Sequence, residues 1–78
     1  MFTRLFVPKW KHADPRVRCQ AISSDSVPPE DVATAASEDS DPQVRRCAVE
    51  RLNDPELLAR LLDTETVTDV RDAALRRL

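Results

Sequence analysis

The side chains able to do chemistry in this chain are few and scattered. It has one histidine, His12, and two cysteines, Cys19 and Cys47. A nucleophile–base couple would pair His12 with a cysteine or with Ser23, yet no third group orients the base and no oxyanion site is recognisable. A structural zinc needs about four ligands at recurring spacing, and neither cysteine belongs to a CxxC pair. The neighbouring carboxylates Glu30 and Asp31 point to different helix faces. They follow Pro29, in a first turn, where acids suit the positive end of the helix dipole. No catalytic residue, cofactor site or metal site is therefore expected, and the chain does not read as an enzyme. Two cysteines in an intracellular chain read as free thiols. Cys47 has the register of a small buried hydrophobe, and Cys19 that of a solvent-facing residue.

The recurrent polar residues are arginines. Arg18, Arg45 and Arg71 each follow a valine within three copies of one pattern: DPRVRCQAI at 14–22, DPQVRRCAV at 41–49 and TDVRDAAL at 68–75. In each copy an alanine stands four after the valine and a large aliphatic residue five after it. With the valine at the origin of a helical wheel, the alanine falls near 40° and the aliphatic near 140°, at about 100° per residue. The arginine falls near 100°, inside the apolar arc, where it needs partners. Asp14 and Asp41 stand four residues before Arg18 and Arg45, a favourable order for a pair on one helix. They could equally serve the arginine of a neighbouring copy.

The elements that must position these residues follow from the repeat. The valines Val17, Val44 and Val70 recur at 26–27 residues, a period that marks a repeat array. Asp-Pro at 14–15 and 41–42 suits an N-cap followed by proline at the first helical position. The third copy lacks Asp-Pro, so Thr66 or Thr68 is expected to cap it. A second element sits between the long ones: VPPEDVATAA at 27–36 matches NDPELLARLL at 53–62. Leu57, Leu58, Leu61 and Leu62 give the later copy a strong apolar face, where the earlier has only Val32, Ala35 and Ala36. Five helical elements are expected, at 14–23, 29–37, 41–52, 54–62 and 66–78, with 3₁₀ character in the shorter ones. The fold class is all-α, an α-solenoid of about two and a half units over 14–78, preceded by an aromatic and basic capping segment at 1–13.

Charge and composition narrow the function. Hydrophobic residues at 41% and charged residues at 33% fit a soluble folded chain. Glycine is absent, which removes every glycine-rich phosphate loop. Net charge is −2. The basic residues of the first twenty positions and the acidic band from Asp25 to Asp41 are unevenly placed, yet no face is rich enough in Lys and Arg to favour nucleic acid. No stretch approaches the length of a bilayer span, and the opening apolar run is too short for a signal peptide. The expected compartment is the cytoplasm.

The string DPQVRRCAVERLNDPELLARLLDTE resembles the leucine-rich repeat variant, whose units join an α-helix to a shorter one. It also resembles a short HEAT repeat, in which the Asp-Pro, Val-Arg and Ala positions are typical. The resemblance covers 12–78. It implies a helical-repeat scaffold without catalysis, and a ladder in which Arg18, Arg45, Arg71, Asp14 and Asp41 tie successive units. The opening FTRLFVPKWKHADPRVRCQAI is similar to a group of bacterial proteins of uncharacterised role, in which a repeat region precedes coiled-coil-like helices. That implies an N-terminal fragment of a longer chain.

Phe2, Phe6 and Trp10 are expected to cover the open end of the first unit, or else to form a docking patch. Leu75 and Leu78 are the expected contacts of an uncapped end helix, through which the chain could form a homo-oligomer. The function expected is a protein-interaction or scaffolding module, its partner being another protein or a further part of a longer chain. Membrane binding is disfavoured. The alternative is a HEAT-like module holding nucleic-acid phosphates.

Overall fold

The computed structural model describes residues 9–24 and 27–78. Among them the fold is all-helical. A 3₁₀ turn at Lys9–Lys11 is followed by α1 (Pro15–Ser23), α2 (Pro29–Glu38), α3 (Pro42–Val49), α4 (Pro55–Thr64) and α5 (Thr68–Arg77). No strand occurs among the described residues. Phe2 and Phe6 lie outside them.

Proline sets the start of four of the five helices. Its fixed φ is already helical, and its missing N–H is one that a first turn leaves unbonded anyway. Asp14, Asp41 and Asp54 cap α1, α3 and α4, with side chains accepting from the backbone N–H of Arg16, Gln43 and Leu57. Glu30, Asp31 and Glu56 sit in the first turns of α2 and α4, where the helix dipole favours them.

Three local expectations are corrected. The elements α2 and α4 are regular α-helices of ten residues, at least as long as α1 and α3, and carry no 3₁₀ character. The helix expected over 41–52 stops at Val49. Arg51 and Leu52 continue it only as a tight turn, donating to the carbonyls of Ala48 and Val49. Neither Thr66 nor Thr68 caps α5. Its N-cap is Val67, which makes no side-chain cap.

The helices of the first type pack in sequence order, α1 on α3 and α3 on α5, while α2 packs on α3 and α4 on α5. One apolar cluster runs through all of them: Ile22, Val32, Ala35, Ala36, Val44, Ala48, Val49, Leu52, Leu58, Leu61, Val70, Ala73 and Ala74. These are largely the positions that the helical spacing marks as apolar. Small alanines of α2, α3 and α5 and larger leucines of α4 fill this cluster. Val17 departs from the pattern. It is only half-buried, whereas its counterparts Val44 and Val70 are buried.

Candidate functional site

The polar groups within this helical fold converge on two joints, each built around an arginine. An arginine presents its N–H donors in a rigid planar fork that matches a carboxylate. Arg18 on α1 donates from Nε to Asp39 Oδ2 and from Nη2 to Asp39 Oδ1, both at 3.0 Å. Its Nη1 donates to the carbonyls of His12 and Ala13 at 2.8 and 3.0 Å. Arg45 on α3 repeats the arrangement with Glu65, from Nε to Oε1 at 2.9 Å and from Nη2 to Oε2 at 3.0 Å. Its Nη1 donates to the Asp39 carbonyl at 2.7 Å. Each arginine thus reaches back to the loop ahead of its own helix and forward to an acid of the following unit.

Asp39 and Glu65 do a second job. Asp39 Oδ1 accepts the Asp41 N–H at 2.9 Å, and Glu65 Oε2 accepts the Val67 N–H at 3.1 Å. Each acid therefore fixes the entry to α3 or α5 while holding the preceding arginine. In the first unit the corresponding position is His12, whose Nδ1 accepts the Asp14 N–H at 3.0 Å. His12 is thus a helix-entry residue.

Both pairs are largely shielded. Side-chain exposure is 13% and 11% for Arg18 and Asp39, and 15% and 5% for Arg45 and Glu65. Burial pushes the Glu65 carboxyl up. The Arg45 hydrogen bonds, the Val67 N–H and the Arg45 charge outweigh it and hold the group below its ordinary value. Asp14 is also held low, chiefly by the Arg16 backbone N–H, and it is half-buried.

Asp14 and Asp41 do not act as the arginine partners expected of them. Their carboxylates are engaged as N-caps, accepting from Arg16 N–H at 2.9 Å and Gln43 N–H at 2.7 Å. The acids that do the work, Asp39 and Glu65, went unnoticed. The signal was present: each stands two residues before the N-cap of the next first-type helix, in register with the other. Arg71 carries no such pair. It is exposed, its Nε donates to the Leu62 carbonyl at 3.1 Å, and no described carboxylate forms an ion pair with it. Arg77 adds a further tie, donating from Nη2 to the Leu52 carbonyl and to Asn53 Oδ1.

The cysteines require a correction. Cys19 and Cys47 are joined as a disulfide between α1 and α3, with Cα atoms 5.7 Å apart, a separation such a bridge spans. Cys19 is half-buried and does not face solvent freely. The free-thiol expectation rested on an intracellular compartment, and register alone placed each cysteine in its own copy. The bridge joins two unequal registers, and only the side-by-side packing of α1 and α3 brings them together. The bridge tells against the expected cytoplasm, since disulfides persist mainly in oxidising compartments. No helix among the described residues is long and apolar enough to cross a membrane.

Trp10, on the 3₁₀ turn, is half-buried against the apolar cluster, with Lys11 Nζ 5.1 Å from its ring centre. It borders a shallow hollow with Arg18, Ala35 and Asp39. Trp10 thus lies beside the first joint, while the cover expected for the open end of the first unit falls largely on Phe2 and Phe6, outside the described residues. Leu75 and Leu78 are exposed, at 60% and 57%. Among the described residues no three His, Cys, Asp or Glu side chains gather as a metal-binding set. No family model, no curated protein and no solved structure matches this chain.

Proposed function

We propose that the chain is a short α-solenoid, of helical units 26–27 residues apart, that works as a protein-interaction or scaffolding module without catalysis. The observation that carries this is where its shielded polar groups go. Arg18, Asp39, Arg45 and Glu65 are all engaged in joining one unit to the next. No buried side-chain nitrogen or oxygen among the described residues is left without a partner. These shielded groups serve the architecture of the fold. The stacking order α1, α3, α5 and the single apolar cluster favour the solenoid. Such stacks recognise partners by shape and charge along their surface.

The test is capture and reconstitution. Proteins retained by the immobilised chain are purified singly and remixed with it. A complex of fixed stoichiometry on a sizing column is the expected result. A chain that forms no such complex, but shifts a nucleic acid on a low-salt gel, would contradict the proposal. The Cys19–Cys47 bridge favours an oxidising compartment over the cytoplasm expected from the sequence. Trapping thiols in intact cells tests it, because a cytoplasmic pool would hold Cys19 and Cys47 mainly reduced.

A further inference from the structure

The two sulfurs of the Cys19–Cys47 bridge stand in unlike surroundings. Both cysteines are half-buried. Cys47 packs against the apolar cluster. Cys19 instead borders an open hollow of about 500 Å³, shared with Arg16, Gln20, Asp41 and Gln43, and Cys47 does not border it. That volume lies in the range of small-molecule sites. Arg16 carries its charge at the rim. Its side chain is 90% exposed, and its ion pair with Asp14 is a loose 3.6 Å contact. Exchange of a disulfide needs a thiolate to reach one of the sulfurs, so access selects between them. Leaving-group quality pulls the other way, because Cys19 shares its hollow with a cation and would be the better-stabilised thiolate. A poorer leaving group only slows an attack, whereas a sulfur that borders no opening offers the attacker no seat.

We propose that Cys19 is a site of S-thiolation, which takes a small carboxylate-bearing thiol of the glutathione class by exchange with the bridge. The incoming thiolate bonds to Cys19 Sγ as the Cys19–Cys47 bond breaks. The electron pair of that bond leaves with Cys47 Sγ, which takes up a proton from water. One thiol is consumed and one is released, so the step needs no further oxidant or reductant. The thiol's carboxylate meets the Arg16 guanidinium at the rim of the hollow. Once released, Cys47 stays against apolar neighbours that disfavour its thiolate. Its return attack on Cys19 is slowed, and the adduct persists. While it does, the first joint lacks its covalent tie. The inference stands apart from the interaction proposal.

The test uses the intact oxidised protein and reduced glutathione. Samples are blocked at short times with excess N-ethylmaleimide and digested with trypsin. Cleavage after Arg18 and Arg46 puts the two cysteines on separate peptides, so mass spectrometry reads the adduct at each. At least about tenfold more adduct on Cys19 than on Cys47 is expected. Arg16→Gln should slow the reaction with glutathione about threefold, the size of an exposed ion pair. It should not slow the reaction with cysteamine, a thiol without a carboxylate. Arg16 is exposed, so the variant should keep the wild-type helical spectrum, which is the control. Adduct shared equally, or found mainly on Cys47, overturns the inference. So does the absence of any adduct, because the bridge is then closed to thiols, and so does a purified protein whose two cysteines stay free in air. An Arg16→Gln protein that reacts with glutathione as fast as wild type overturns the carboxylate contact and the class of thiol drawn from it.

Discussion

The two joints share one polar device and differ in everything around it. At the first, between α1 and α3, the apolar side chains are sparse: Val17 is half-buried, and α2 contributes only Val32, Ala35 and Ala36. The Cys19–Cys47 bridge and Trp10 lie there. At the second, between α3 and α5, α4 brings Leu58 and Leu61 into the core with Leu57 and Leu62 beside them, and no bridge is present. A small domain buries a modest share of its surface and commonly needs a staple. Here the covalent link lies where the buried apolar side chains are smaller, and the leucines hold the other joint without one.

Reduction should break this asymmetry most strongly. The bridge joins residues 28 apart, so opening it should cost about 3.5 kcal/mol in a chain-entropy account. Denaturant unfolding with and without reductant measures the loss, and amide exchange should place it in α1 before α5. A loss spread evenly over both joints would show that the bridge does not serve the first one specifically.

Truncating the leucine side is next. Leu58→Ala should cost about 3 kcal/mol, since a buried leucine leaves both lost transfer energy and a cavity. Val32→Ala, at the matching place on α2, should cost about 2 kcal/mol by the same reasoning. Equal losses would remove the distinction between a leucine-held and a bridge-held joint. Arg45→Ala should follow at about 2 kcal/mol, because it strands Glu65 in a shielded site. Arg71→Ala should change stability by less than about 0.5 kcal/mol, as expected of an exposed side chain.

The smallest effect is that of pH. Glu65 has a depressed folded-state pKa, so its contribution is fully present above its ordinary value of 4.5 and is lost as pH falls through the lower folded value. Acid should therefore loosen the second joint, and Glu65→Gln should flatten that part of the stability profile. A profile unaltered by the substitution would mean that the carboxylate is not held by Arg45 in solution.

Much of the architecture was legible in the residues. The all-helical class, the Asp-Pro starts at 14–15 and 41–42, and the apolar places of Val44, Ala48, Val70 and Ala74 all depend on local spacing. What escaped depends on stacking. Asp14 and Asp41 look like arginine partners because they lie one turn away, but a carboxylate at an N-cap is claimed by the helix's own N–H groups. The acids that grip the arginines come from the next unit, some twenty residues on. Cys19 and Cys47 occupy different registers, so no pattern within a copy pairs them. The ordinary α-helical geometry of α2 and α4, in place of 3₁₀ character, agrees with their proline starts and first-turn acids.

The central claim is that the units are held in register by an arginine of one and a carboxylate of the next. A double-mutant cycle at Arg45 and Glu65 tests it most directly, with Arg45→Gln, Glu65→Gln and the combined variant compared by denaturant unfolding. The account predicts a coupling energy above about 1 kcal/mol, the double variant costing clearly less than its parts together. Additive costs, within about 0.3 kcal/mol, would show that the two side chains meet without holding the units together.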